Sequence, residues 1–361
     1  SSAADASNWV SLGPSNFANR ATSSSNIGRV NVVMVDPNNP NTYFSGAPSG
    51  GIWKSEDAGT TWNPLGDNLP QLGVSGIAID YNNSNIIYIA TGDDDGNDTP
   101  SVGVLKSVDG GLTWNTTGLN TSNTPSSMND IYVHPTKTNI VWVATNNGVY
   151  KSSDAGVSWT NATGLQGSNV KDIKIHPSNP NIVYAVTASS FYKSTNGGNA
   201  FSVSNTGLPV SSRRLVLDVT PAEPDAVFVL SANSSCEFQG LYKSSNQGSI
   251  FSSLATQAEV GNFFGSSQCW FDMALAVSDT NANEIYTGVL DINKTTNGGA
   301  SFTKMNTWYI RDPYYTHDDI HMIRFFNGAL FSGTDGVFFR STDGDNNFTD
   351  LTTGMEISQF Y

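Results

Sequence analysis

The chain has 361 residues, a net charge of −14 and a hydrophobic fraction of 38%. Its 17 Lys and Arg residues are spread thinly, which argues against a nucleic-acid partner, because phosphate contacts need clustered basic side chains. The same acidity disfavours adsorption to anionic lipid. No apolar run approaches the roughly 20 residues that span a bilayer, so we predict no membrane insertion.

Short strands separated by turn residues follow one another along the chain. Residues 8–12 resemble the last strand of a unit whose other strands are missing, and seven complete units of four strands follow. The predicted units cover residues 28–65, 74–117, 128–162, 170–204, 213–254, 271–305 and 319–351. Residues 357–361 resemble one more first strand. We find no long apolar pattern with the spacing of a helix.

An eight-residue pattern, exemplified by Ser-Glu-Asp-Ala-Gly-Thr-Thr-Trp, follows the third strand of every unit. Its copies begin at Ser55, Ser107, Ser152, Ser194, Ser244, Thr295 and Ser341, and successive third positions are 42 to 52 residues apart. A period of this size with four strands per unit is typical of a β-propeller. The sequence therefore predicts an all-β fold of seven four-stranded blades.

Three positions of the octapeptide have a structural role. Asp or Asn at position three is expected to bond the backbone two residues further on, as turn residues do. Gly at position five supplies a positive φ without steric cost, and Trp or Phe at position eight buries a large ring between blades. A ring of these Asp residues binding a metal is the alternative, but turns a blade width apart cannot bring their carboxylates together.

The two ends of the chain leave the closure of the ring open. A propeller normally removes its exposed edges by completing one blade from both termini. Either residues 8–12 and 357–361 pair in a seven-bladed ring, or they belong to a further blade of a longer protein.

The starts of the first strands should form one face of the propeller around its axis. Polar and large side chains gather there, and we predict that this central face binds the ligand through Arg29, Arg213, Arg214, Trp270, Asp272, His317, Asp319 and His321. On an extended strand His317, Asp319 and His321 would share one side. Two imidazoles and a carboxylate fit either a divalent metal or a hydrogen-bonded polar plug in the channel.

A second acidic group lies in the loop between the second and third strands of the second unit, on the same predicted face. The oxygen-bearing residues Asp93, Asp95, Asn97 and Asp98 surround a glycine, a composition that can hold calcium. A solvated acidic loop is the other interpretation. No other cofactor is predicted.

Cys236 and Cys269 are the two cysteines of the chain. An even count in an acidic chain rich in Ser, Thr and Asn favours one disulfide in an exported protein. Two free thiols are the alternative.

The octapeptide resembles the Asp-box of bacterial sialidases, xyloglucanases and sortilin-type receptor domains. The chain as a whole resembles the sortilin-like (BNR) Asp-box propellers of the large secreted proteins of Bacteroidetes-type bacteria, most closely in residues 28–32, 46–53, 73–78, 270–275 and 316–321. This resemblance implies type IX secretion, components of that secretion system as partners, and a location at the bacterial cell surface or in the medium.

Catalytic motifs of the related enzymes are missing. The Phe/Tyr-Arg-Ile-Pro motif of sialidases is absent, and residues 47–52 carry no carboxylate where xyloglucanases place a catalytic Asp. The sequence therefore favours a non-catalytic module that binds a glycan or a protein, with no catalytic residue. The alternative is a polysaccharide-active glycoside hydrolase that uses two central-face carboxylates, drawn from Asp272, Asp318 and Asp319.

Overall fold

The computed structural model describes residues 27–96, 99–123, 125–308, 314–336, 338–342 and 347–357. Within these residues the chain forms seven sheets, each of four consecutive antiparallel strands. The one helix of the described part is the four-residue Gln257–Val260. The predicted fold, an all-β propeller of seven four-stranded blades, is confirmed. The predicted strand 8–12 and residues 358–361 lie outside the described residues.

The blades follow one another in chain order. The first three contain Val32–Asp36, Asn39–Ala47, Gly51–Ser55 and Asn63–Pro64; Val74–Asp80, Asn83–Thr91, Gly103–Ser107 and Asn115–Asn120; and Met128–Val133, Val141–Thr145, Gly148–Ser152 and Thr160–Asn161. Blades four and five contain Asp172–Ile175, Val183–Val186, Phe191–Ser194 and Ser202–Val203, and Arg214–Thr220, Glu223–Ala232, Phe238–Ser244 and Ser252–Thr256. Blades six and seven contain Ala274–Val277, Ile285–Gly288, Ile292–Thr295 and Thr303–Lys304, and Ile320–Phe326, Ala329–Thr334, Phe338–Ser341 and Thr349–Asp350.

The core lies between neighbouring blades. The second strand of each sheet is covered on both sides along its C-terminal half, where its residues are buried; the fully buried Val141–Thr145 is one example. Between the second and third blades, Tyr88, Ile131 and Val143 belong to one buried cluster. This packing stacks the sheets around an axis and orients every first strand toward it.

The octapeptide forms the turn between the third and fourth strands, with a different hydrogen-bond pattern from the one predicted. In the first copy, Asp57 Oδ1 accepts the N–H of Thr61, four residues on, at 2.8 Å. Ser55 Oγ accepts the N–H of Gly59 and donates to Asp57, each at 2.8 Å. These hydrogen bonds, led by the Thr61 N–H, lower the pKa of Asp57 to about 2. The prediction that the Asp side chain bonds the backbone two residues further on was wrong, because this turn is wider than an Asx-turn.

The turn also has two consecutive residues in the left-handed region. Gly59 has a φ of 89°, as expected, but Ala58 before it has a φ of 59°. The rings at position eight are not equally covered: Trp62 is buried, whereas Trp114 and Trp159 are half-buried. All three rings pack against clusters between neighbouring blades, as predicted, but the prediction that they are buried was wrong for Trp114 and Trp159.

Blades one and seven close the ring without sharing strands within the described residues. Trp62, Tyr43 and Ile357 lie in one buried cluster with residues of blade seven. The Trp62 indole N–H donates to the Leu351 carbonyl at 2.5 Å, and the Val30 N–H donates to the Thr334 carbonyl at 3.0 Å. We call this contact the closing junction.

Candidate binding site on the propeller axis

One face of the ring collects the starts of the first strands and the loops that follow the second strands. Antiparallel pairing places them together: Val74 at the start of a first strand pairs with Thr91 at the end of the next, and Ile320 pairs with Thr334 in the same way. We call this the upper face. The predicted binding residues and the acidic loop after Thr91 both lie here.

The acidic loop of blade two reaches the first strands of distant blades. Asp93 Oδ2 accepts from Arg29 Nη2 at 2.5 Å, and both side chains are buried. Asp95 Oδ1 accepts from Arg214 Nη2 at 3.3 Å, and Asp95 Oδ2 lies 2.8 Å from His321 Nδ1. The loop therefore links blades one, five and seven through charged side chains, across the mouth of the channel.

His321 is the centre of this network. Its Nε2 lies 2.7 Å from Asp335 Oδ1, so each ring nitrogen faces a carboxylate. Burial of the imidazole opposes protonation, but Asp335 and Asp95 outweigh it and raise the pKa of His321 to about 10. The side chain is therefore an imidazolium at neutral pH that cross-links two carboxylates. With both nitrogens engaged, the arrangement fits the polar plug rather than the divalent-metal site.

The prediction that His317, Asp319 and His321 lie on one extended strand was wrong. The first strand of blade seven begins at Ile320, and Asp319 before it has a φ of 55°, which breaks the alternation of an extended strand. His317 instead pairs with its neighbour Asp318, at 2.7 Å between Nδ1 and Oδ1. Burial opposes protonation of His317, but Asp318 raises its pKa above the ordinary value.

Asp272 lies near Asp319 in this face. Its carboxyl group is completely buried, and among the described residues no N–H or O–H of another group reaches either oxygen. Burial and the nearby Asp319 raise the pKa of Asp272 to about 8. Asp272 is therefore mostly protonated at neutral pH, because two like charges at close range cannot both ionise.

Trp270 projects from the same segment with 48% of its surface exposed, the largest exposed fraction of any tryptophan in the described part of the chain. Arg214 Nη1 donates to the Trp270 carbonyl at 2.9 Å and to the Cys269 carbonyl at 3.3 Å. Trp270 itself lies in a turn that is closed by the Phe271 N–H donating to the Gln268 carbonyl at 2.6 Å. The indole is therefore exposed on a backbone that is fixed on both sides.

The predicted disulfide between Cys236 and Cys269 is confirmed, with the two Cα atoms 5.1 Å apart. Cys236 lies in the loop after the second strand of blade five, and Cys269 precedes Trp270. The bond thus anchors the segment that carries the exposed indole to the neighbouring blade.

Replacing both cysteines with serine should lower the free energy of unfolding by about 2 to 4 kcal/mol, the usual range for a loop of this size. The two cysteines are 33 residues apart, so removing the bond raises the conformational entropy of the unfolded chain. Urea denaturation of the double variant and of the wild type under non-reducing conditions measures the difference. Equal midpoints and equal slopes would contradict a structural role for the bond.

The remaining predicted residues are placed as follows. Arg213 lies beside Arg214 with an exposed side chain. Of the predicted calcium ligands, Asp93 and Asp95 face cationic side chains, and Asn97 and Asp98 lie outside the described residues. No group of three or more metal-ligating side chains occurs within the described ranges. Asp335 was not among the predicted site residues. It follows the second strand of its blade, as Asp93 does, and this shared position could have indicated that it lies on the upper face.

Comparisons with known proteins give the family. The fold and its repeated turns define an Asp-box β-propeller. Residues 147–328, half of the chain, match the family model Sortilin-Vps10, described as sortilin, neurotensin receptor 3, and the chain belongs to this family.

Among curated proteins, the chain is 30% identical over 141 residues to the xyloglucanase Xgh74A of Acetivibrio thermocellus, a match that covers 36% of this chain and 17% of the enzyme. Among solved structures it is similar to the GH74 enzyme of Niastella koreensis, with a TM-score of 0.68, 18% identity, and coverage of 92% of this chain and 55% of that one. The chain thus spans about half the length of that enzyme.

The extracellular domain of a B. thetaiotaomicron two-component system protein is also similar, with a TM-score of 0.62, 13% identity, and coverage of 87% of this chain and 38% of that one. At these identities the structural likeness shows the fold alone. Among the described residues no helix is long and apolar enough to cross a membrane.

Proposed function

We propose that this propeller is a non-catalytic extracellular module that binds a glycan on its upper face, with Trp270 as the main contact. The observation that carries the proposal is an exposed indole on a segment fixed by Arg214 and by the disulfide of Cys269. An aromatic ring with one apolar face and a polar rim is suited to stacking on the C–H face of a sugar. A rigid ring also loses little entropy when it binds, because binding costs arise from ordering mobile groups.

Carboxyl groups on the same face would accept hydrogen bonds from the hydroxyl groups of such a ligand. Asp94, Asp318 and Asp319 belong to this face and are only partly buried. The excess of carboxylates favours a neutral glycan over an acidic one. The relationship to xyloglucanase Xgh74A, whose name gives xyloglucan as its substrate, makes xyloglucan oligosaccharides the first probe.

Trp270→Ala should weaken binding of the best glycan by about tenfold or more, because large aromatic anchors dominate binding interfaces. A glycan array with the wild-type chain identifies the ligand, and isothermal titration then compares the variants. Tyr81→Ala is the matched control, since Tyr81 is another exposed aromatic residue but lies at the opposite end of the first strand. Equal affinity of Trp270→Ala and wild type would overturn the proposal, and binding of peptides alone would assign the face to a protein partner.

A glycoside hydrolase is the second candidate, and the protonated Asp272 beside Asp319 favours it, because such enzymes pair a proton-holding carboxyl group with a carboxylate. Against it, Asp272 is completely buried and cannot touch a substrate in this conformation. Turnover of chromogenic glycosides or xyloglucan that is lost in Asp319→Asn would replace the binding proposal with this one.

The location and the cofactor are further parts of the proposal. The disulfide and the likeness to an extracellular domain support export to the bacterial surface or medium, and we propose type IX secretion as the route. Fractionation of the source bacterium would contradict this by recovering the protein in the cytoplasm. Calcium binding by the loop of Asp93, Asp95, Asn97 and Asp98 stays a prediction. It would be contradicted if adding calcium to the chelated protein left the melting curve unchanged.

A further inference from the structure

The opposite mouth of the channel holds a cavity that the upper-face proposal does not use. Its volume is about 430 Å³, within the usual size of small-molecule sites. Residues near the ends of all seven first strands line it, so it lies on the axis of the ring. We call it the lower cavity.

An ionic layer separates the lower cavity from the upper face. Arg324 Nη2 lies 2.7 Å from Asp130 Oδ2, and Lys174 Nζ lies 2.5 Å from Asp172 Oδ1. Lys174 and Arg324 also line a smaller, polar cavity on the other side, of about 80 Å³. The two cations of the layer are thus each paired with a carboxylate, and they close the floor of the lower cavity.

Two other carboxyl groups in the cavity have no cation. Within the described ranges no Lys, Arg or His nitrogen pairs with Asp218 or Asp279. Among the described residues, the donors to the Asp218 carboxyl group are backbone N–H groups, those of Val277, at 2.7 Å from Oδ2, and Val219. Asp279 Oδ2 accepts the Gly328 N–H at 3.0 Å, while its buried Oδ1 has no donor among the described residues. Burial raises the pKa of Asp218 to about 6, a shift that the nearby Lys174 only partly offsets.

The walls between these carboxyl groups are apolar and aromatic. Tyr81, Tyr132, Phe325 and Phe326 line the cavity together with aliphatic residues of the first strands. Tyr132 already lies under Lys174 and Arg324, at 5.6 and 5.7 Å from its ring centre. Aromatic faces attract cations, and an aromatic wall next to an unpaired carboxylate is the chemistry that recognises organic ammonium groups.

We propose that the lower cavity binds the cationic head of an apolar organic cation, an alkyl- or arylammonium or guanidinium group, between Asp218, Asp279 and the aromatic wall. The cation would neutralise two carboxylates that have no cationic partner among the described residues, and its apolar body would fill the lower cavity. The same chemistry is offered by a free amine and by the Lys or Arg side chain of a partner. This site is independent of the glycan site around Trp270.

Isothermal titration with phenethylammonium tests the proposal, with phenethyl alcohol and 3-phenylpropionate as matched neutral and anionic probes. We expect the ammonium probe to bind at least about tenfold more tightly than either analogue, a difference that one paired charge in a desolvated site supplies. No binding of the ammonium probe at millimolar concentration, or equal binding of the alcohol, would overturn the proposal.

Asp218→Asn and Asp279→Asn should each weaken binding of the ammonium probe by about tenfold, with unchanged melting temperatures showing that the ring is folded. Asp67→Asn, an exposed carboxylate outside the cavity, and Trp270→Ala on the upper face should bind as wild type does. If Asp218→Asn fails to fold, Asp279→Asn decides, and full affinity in that variant would contradict the site. A Lys-containing peptide that binds more tightly than phenethylammonium identifies a partner side chain as the source, and the reverse order identifies a free amine.

Discussion

Replacing His321 with alanine should lower the free energy of unfolding by about 3 to 5 kcal/mol, the range for breaking a buried ion pair by removing one partner. The imidazolium lies between Asp95 and Asp335, and its side chain has no exposed surface. Its loss leaves the Asp95 carboxylate, which is 4% exposed, with Arg214 as its remaining partner. Urea denaturation followed by tryptophan fluorescence measures the change.

The pH dependence gives this prediction a second readout. The pKa of His321 is about 10 in the folded protein and about 6.5 in an unfolded chain, so the folded state binds the proton more tightly. The stabilisation is therefore fully present below pH 6.5 and is lost as the pH rises toward 10. Wild type should lose stability across this window, and His321→Ala should lose less.

His134→Ala is the matched control for the histidine experiment. The Nδ1 atom of His134 accepts the N–H groups of Thr136 and Lys137 in a turn, at 3.1 and 3.0 Å, and burial lowers the pKa of His134. This variant should keep the loss of stability between neutral and alkaline pH. The same alkaline slope in His321→Ala and wild type would show that another group causes it.

Replacing Trp62 with alanine should cost about 3 to 5 kcal/mol, as for other buried aromatic residues. The indole is 7% exposed, packs edge-on against Phe338 with ring centres 6.0 Å apart, and donates its N–H to the Leu351 carbonyl. It therefore loses packing and a hydrogen bond in the closing junction at once. Trp62→Phe keeps most of the ring volume and should fall between wild type and alanine.

Trp159→Ala is the comparison within the repeat, because Trp159 has the same octapeptide position but is half-buried. Its N–H donates to the Gly156 carbonyl of its own turn, at 3.2 Å, and does not join two blades. We expect a loss of about 1 to 3 kcal/mol, the common range for single substitutions. An equal or larger loss than for Trp62→Ala would contradict the special role of the closing junction.

The repeated octapeptide made the fold predictable, because its spacing reports the length of a blade directly. The same reasoning failed where one residue departs from regular geometry. A positive φ at Asp319 ends the extended chain before Ile320, so the alternation that grouped His317 with His321 does not exist. A single backbone angle of this kind leaves no periodic signal in the sequence.

The sites could be predicted only as far as they follow from position in a blade. The acidic loop and the first-strand residues share a face because antiparallel pairing fixes their ends, and this part could be anticipated. The pairing of Asp95 with His321, 226 residues away, depends on how the ring closes. The lower cavity escaped prediction for the same reason, since Asp218 and Asp279 come from different blades and each looks like an ordinary polar residue of its own strand.

The closing junction has a consequence for the order of folding. Each blade is built from hairpins whose partners are near in sequence, whereas Trp62 and Leu351 are 289 residues apart. Contacts between distant residues must first overcome the entropy of closing a long loop, and they slow folding accordingly. We therefore expect the blades to form early as an open row and the ring to close last, so that the network around His321 becomes complete only when the chain has finished folding.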